Sequence, residues 1–186
     1  MLIVFMVGSG MLFLSISGFS IFYIQKSHFS LNEYPFPKSF VLSTVVLLIT
    51  GSLFYKAREN FEHAQLKSLL KYLALVFIGS AVFIGFQADG WLLVVNYAND
   101  IGSKNLISFV LVLSGIHAIH LIGGLIFLLM LIITVYRAMQ DGVKSLVFST
   151  EPYTKARIAT LSLYWVYIEI IWVLQFLLFY LVYWVH

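Results

Sequence analysis

Residues 105–136 read NLISFVLVLSGIHAIHLIGGLIFLLMLIITVY, with Lys104 before them, Arg137 after them and no charge between. A bilayer core offers no water to backbone N–H and C=O groups, so an apolar run of this kind must satisfy them internally, as a helix. About 20 residues suffice to cross, so this one is tilted or continues past the hydrocarbon. Outward from it, the charges divide the chain into four more such stretches: 1–24, 39–55, 72–95 and 158–185. The second is short, but Lys38 and Lys56 at its ends can snorkel. The first lacks a basic leader and a small-residue cleavage site, so we read it as a retained helix. The expected fold is therefore all-α: a polytopic membrane protein with five transmembrane helices in a single bundle covering 1–186. No internal repeat is visible.

Composition agrees. The chain has 186 residues, 61% hydrophobic and 10% charged, against roughly 45–50% and about 25% in soluble domains. A water-soluble enzyme, a nucleic-acid binder and a disordered segment are excluded. Net charge is only +3 and cysteine is absent. The chain thus has no thiolate for a zinc site, an iron–sulfur cluster or a bridged copper centre. The cations also set a direction. Lys56, Arg58, Lys67, Lys71, Arg137, Lys144, Lys155 and Arg157 fall on one side of the five stretches, and Lys26, Lys38 and Lys104 on the other. By the positive-inside rule the N-terminus is expected in the cytoplasm and the C-terminus outside.

Polar groups at membrane depth are costly and need a reason. His117 and His120 lie three apart on one helical face. They can share a metal ion, for which Glu169 is the one deep carboxylate available as third ligand, or each can bond a neighbouring helix, the commoner use. They cannot clamp one haem from both faces, and His28, His63 and His186 lie in loops or at the terminus. Glu169 sits in the middle of the last stretch, in a stripe with Trp165, Trp172, Phe176, Phe179 and Tyr183 at alternating four- and three-residue spacing. Aromatic stripes usually pack, and a carboxyl within one is expected to bond a neighbour such as His117 or His120. The alternative is a proton-carrying carboxylate. Gln87 can bridge to another helix, while Asp89 and Trp91 suit the external interface. Ala81 with Gly85, and Ser114 with Ala118, have the spacing of close helix contacts. No residue is read as catalytic, cofactor-binding or metal-binding; Gln87, His117, His120, Trp165, Glu169 and Trp172 are read as helix-bridging or lipid-adjacent.

Together these segments resemble subunit III of the haem–copper terminal oxidases in its short, five-helix bacterial form. The family run Gly-x-His-x-x-His-x-x-Gly is matched by Gly115, His117, His120 and Gly123. Its last-helix pattern, Tyr-Trp-His-Phe-x-Asp-x-x-Trp, is matched by Tyr164, Trp165, Glu169 and Trp172, with Val166 in place of the histidine and Glu169 in place of the aspartate. Pro37-Lys38-Ser39-Phe40 followed by Ser43-Thr44, and the series Gly79, Phe83, Gln87 and Trp91, look like further family segments in the same order. The family's first-helix carboxylate is missing, and so is a second one, expected one or two turns before Tyr164 and Trp165, about where Ala159 stands.

The resemblance implies an accessory, non-catalytic subunit of a proton-pumping oxygen reductase, a cytochrome c oxidase before a quinol oxidase, in a bacterial inner membrane. It implies no cofactor in this chain and haem and copper in the partner catalytic subunit I. Contacts with the other oxidase subunits and with bound phospholipid are expected, and none with nucleic acid. A subunit of a nitric oxide reductase is the near alternative. A small proton-coupled transporter using Glu169 is the distant one.

Overall fold

The structure is a computed structural model that describes residues 2–26, 36–101 and 104–185. Among these the chain forms α1 (Leu2–Lys26), α2 (Lys38–Glu62), α3 (Leu66–Ile101), α4 (Lys104–Ala138), α5 (Gly142–Thr150) and α6 (Pro152–Val185). It is all-helical. Four helices contain segments long and apolar enough to cross a membrane: Lys38–Glu62, Leu66–Tyr97, Val110–Ala138 and Pro152–Leu181. Met6–Phe19 of α1 is a shorter apolar run. The segment 27–35, with His28, and His186 lie outside the described residues.

The helices extend beyond the apolar stretches that announce them. α2 continues seven residues past Tyr55, and α3 begins six before Tyr72. Charged residues end the hydrocarbon layer but not the helix, because Lys, Arg, Glu and Gln are good helix formers in water. Arg58 and Glu62, one turn apart on α2, form an exposed ion pair at 3.4 Å. The α2–α3 turn closes with Ala64 in the left-handed region (φ 54°). There Gln65 N–H bonds Asn60 O at 2.9 Å and Ala64 N–H bonds Phe61 O at 3.0 Å, the paired bonds of a Schellman cap. The mixed sequence of Gly142–Thr150 does not announce the short α5. Asp141 caps it, accepting from Val143 N–H at 2.9 Å, and Pro152 opens α6, where a missing N–H is harmless.

The chain clusters into two compact units whose boundaries fall inside α2, α3, α4 and α6. The first comprises Met1–Thr44, Ile84–Ile119 and Ile170–His186. Its buried side chains include Ser39, Ser43, Thr44, Gln87, Ser114, His117 and Gln175 beside Phe40, Leu113, Trp172 and Phe179. The second comprises Val45–Phe83 and His120–Glu169, and its core is chiefly aliphatic and aromatic: Leu47, Phe54, Leu69, Leu73, Leu121, Leu128, Leu131 and Trp165. The polar interior is thus concentrated in one unit. Many large apolar side chains on α1, α2, α3, α4 and α6 are exposed, as lipid-facing helices require.

Candidate functional site

In the first unit, pairs of polar side chains join helix to helix. Gln87 of α3, only 2% exposed, donates from Nε2 to Ser43 Oγ of α2 at 2.9 Å. One turn further along α3, Trp91 Nε1 donates to Ser114 Oγ of α4 at 2.8 Å. Trp172 of α6 is fully buried and donates from Nε1 to Thr44 Oγ1 at 2.9 Å. The Thr44 hydroxyl in turn donates to Phe40 O at 2.7 Å. Gln175 reaches Leu113 O at 3.4 Å, a long bond. The buried imidazole of His117 lies 5.2 Å from the Trp172 ring, inclined at 42°. Nearer the end of this unit, Ser39 donates to the exposed carboxylate of Asp89. The Oε1 atoms of Gln87 and Gln175 are buried with no hydrogen-bond partner among the described residues.

The second unit holds the deep carboxyl. Glu169 sits directly against Gly51 of α2: a Cβ built at Gly51 would lie 2.1 Å from Oε1 and 2.4 Å from Cδ. A side chain there would have to push the carboxyl aside, so with glycine in place the carboxyl rests in a notch in the helix surface. Oε1 is buried and has no hydrogen-bond partner among the described residues, and no bond from Glu169 to either histidine is found. One turn earlier, Trp165 stacks on Phe54 of α2, with centroids 5.4 Å apart and planes at 20°. Tyr164 OH donates to the backbone carbonyl of His120 at 2.9 Å. Gly124 of α4 lies close against Tyr164, Trp165 and Ile168.

The residues singled out in the sequence therefore divide. Gln87, His117 and Trp172 lie in the first unit; His120, Trp165 and Glu169 lie in the second. Of the aromatic stripe on α6, Trp165, Trp172 and Phe179 are buried and Phe176 is half-buried; the side chain of Tyr183 lies outside the described residues. Among the described residues, no three His, Asp or Glu side chains are grouped closely enough for a metal ion. Of the small-residue pairs, Ser114 and Ala118 are buried, but Ala81 and Gly85 are exposed. Spacing alone does not say which face of α3 turns inward.

Several contacts were not legible from the motifs, even where a motif holds the residues, as it does Ser43 and Thr44. Ser43 and Thr44 are ordinary hydroxyls until Gln87 and Trp172 are placed opposite them. Gln175, a second amide in mid-helix, carried a signal that spacing did not single out. Among the described residues, Gly51, Gly79, Gly90 and Gly124 are the glycines that side chains of other helices approach closely, whereas Cβ atoms at Gly115 and Gly123 would meet nothing within 4 Å.

No family model matches the sequence. The chain is 26% identical over 171 residues to cytochrome bo(3) ubiquinol oxidase subunit 3 of Buchnera aphidicola subsp. Schizaphis graminum, a match covering 88% of this chain and 83% of that one. It is 24% identical over 140 residues to the protein of the same name from Pseudomonas putida, covering 75% of this chain and 63% of the other. The chain thus spans less than two thirds of the Pseudomonas protein's length. Over most of its own length it is similar, at a distance, to the third subunit of two ubiquinol oxidases.

Proposed function

We propose that this chain is an accessory third subunit of a haem–copper oxygen reductase in a bacterial inner membrane. In this reading it crosses the bilayer five times, with the N-terminus cytoplasmic, and carries no catalytic centre of its own. One observation carries the proposal: the similarity to two ubiquinol oxidase subunits extends over 88% and 75% of the chain. The polar interior supports it. Its side chains pair with one another across helices, Gln87 with Ser43, Trp91 with Ser114 and Trp172 with Thr44. That is the chemistry of helices held together. Haem and copper belong to the partner catalytic subunit in this proposal; a chain with no cysteine and two histidines at mid-span offers too few ligands. Both relatives are named for ubiquinol oxidases, which favours a quinol donor over the cytochrome c that the resemblance suggests first.

The test is purification of the tagged chain from its own membranes in mild detergent. We expect a haem-bearing, many-helix partner and oxygen consumption supported by quinol. A haem-free homo-oligomer would overturn the proposal, and turnover with reduced cytochrome c but not with quinol would overturn its donor. Glu169→Gln is expected to lower the yield of assembled complex more than its initial turnover. A fully assembled variant complex with no turnover from the first seconds would instead mark Glu169 as a proton carrier.

A further inference from the structure

Between the spans of α4 and α6, residues 139–151 contain α5 (Gly142–Thr150), a helix with two distinct faces. Phe148 is buried and meets Phe61 of α2 edge-on at 5.8 Å, so α5 is anchored to the end of the α2–α3 hairpin. Val143, Leu146 and Val147, at helical spacing on another face, are 72%, 67% and 53% exposed, and Tyr153 just beyond is 72% exposed. A short connection between two spans cannot carry this face far from the bilayer boundary. The surroundings are cationic. Lys56, Arg58, Lys67, Lys71, Arg137, Lys144, Lys155 and Arg157 stand against Glu59, Glu62, Asp141 and Glu151 at this end of the second unit, a net of +4. Arg58 pairs with Glu62 and Lys144 with Asp141; Lys56, Lys67, Lys71, Arg137, Lys155 and Arg157 make no ion pair among the described residues.

We infer that α5 is an interfacial helix that seats anionic phospholipid: Val143, Leu146 and Val147 enter the acyl boundary while Arg137, Lys155 and Arg157 hold the negative headgroups. Exposed aliphatic side chains beside uncompensated cations at a membrane surface are the pattern that binds such lipids. The chemistry selects phosphatidylglycerol or cardiolipin over a zwitterionic lipid. The inference needs only that α4 and α6 cross the membrane, and it stands apart from the oxidase reading.

The chain has no cysteine, so Leu146→Cys gives one labelling site. The complex containing it is labelled with a fluorophore, with background taken from the unsubstituted complex, and reconstituted into vesicles of phosphatidylcholine and phosphatidylglycerol. Brominated acyl chains are placed on one lipid or the other, and acrylamide serves as the neutral aqueous quencher. We expect quenching by brominated lipid, severalfold stronger when phosphatidylglycerol carries the bromine, and weak quenching by acrylamide. Arg137→Gln, Lys155→Gln and Arg157→Gln together should abolish the phosphatidylglycerol preference and leave quenching by brominated lipid in place. Three outcomes would overturn the inference. Dominant acrylamide quenching would place α5 in water, and a label reached by neither quencher would show a protein partner covering it. An undiminished preference in the triple variant would show that these cations do not select the lipid.

Discussion

Gly90 and Gly51 look alike in the sequence and differ in what presses on them. A Cβ at Gly90 would come within 2.4 Å of Cε1 in the buried Phe40 ring, and a ring held among Phe36, Trp172 and Phe179 cannot turn away. Overpacking of that kind costs about 1–3 kcal/mol, so Gly90→Ala should lower the thermal unfolding midpoint in detergent measurably. At Gly51 the intruding group is the end of the Glu169 side chain, which has torsions to spare. Gly51→Ala should therefore cost less, under about 1 kcal/mol, and its effect should vanish in a Glu169→Ala background if the carboxyl is the cause. Gly115→Ala and Gly123→Ala should stay within about 0.5 kcal/mol by the same measurement. Trp172→Phe removes the bond to Thr44, whose hydroxyl retains Phe40 O, and leaves a small cavity where the larger indole was fully buried. Interhelical hydrogen bonds in membranes average about 0.6 kcal/mol, with a maximum near 1.7. A loss of at least that size is expected once the lost packing is added, and Thr44→Val should produce little further loss in the Trp172→Phe background.

Among the elements, the ends of the helices offer the clearest tests. Ala64 holds a left-handed conformation at the α2–α3 turn, where a Cβ is penalised and glycine is the usual occupant. Ala64→Gly should raise stability by about 0.5–1 kcal/mol despite the greater freedom it gives the unfolded chain, read as a higher unfolding midpoint. A midpoint that falls would mean that the turn is not formed as described. The α4–α6 connection depends on one aromatic contact. Phe148→Ala removes the edge-on packing against Phe61 and should loosen α5 without disturbing the spans. Limited proteolysis should then cut within 139–151 several times faster, while helix content by circular dichroism stays the same.

At the scale of the molecule, the proposed direction in the membrane rests on cation placement, with eight Lys and Arg on one side of the five expected spans and three on the other. A reporter that is active only in the cytoplasm should work when fused within 139–151 and fail when fused after residue 186. The reverse pattern would invert the topology. The chain's polar residues also acquire their meaning at this scale. Gln87 with Ser43, Trp91 with Ser114 and Trp172 with Thr44 form three pairs drawn from four different helices of the first unit, and each bond spares a side-chain N–H from lying unpaired in hydrocarbon.

The membrane class, the apolar segments and the scarcity of metal ligands were determined by the sequence alone, because the need to pair every backbone group in hydrocarbon leaves a long uncharged run no alternative to helix. The extent of each helix was not, since α2 and α3 run on through residues whose charge marks the end of the lipid rather than of the helix. Which polar residue meets which was decided only by the tertiary structure. His117 and His120 share a face by spacing, yet one belongs to a core beside Trp172 and the other lends its carbonyl to Tyr164 in a different unit. Glu169 was conspicuous in the sequence, but its seat on Gly51 was not, because a glycine shows its purpose only when another helix lies against it.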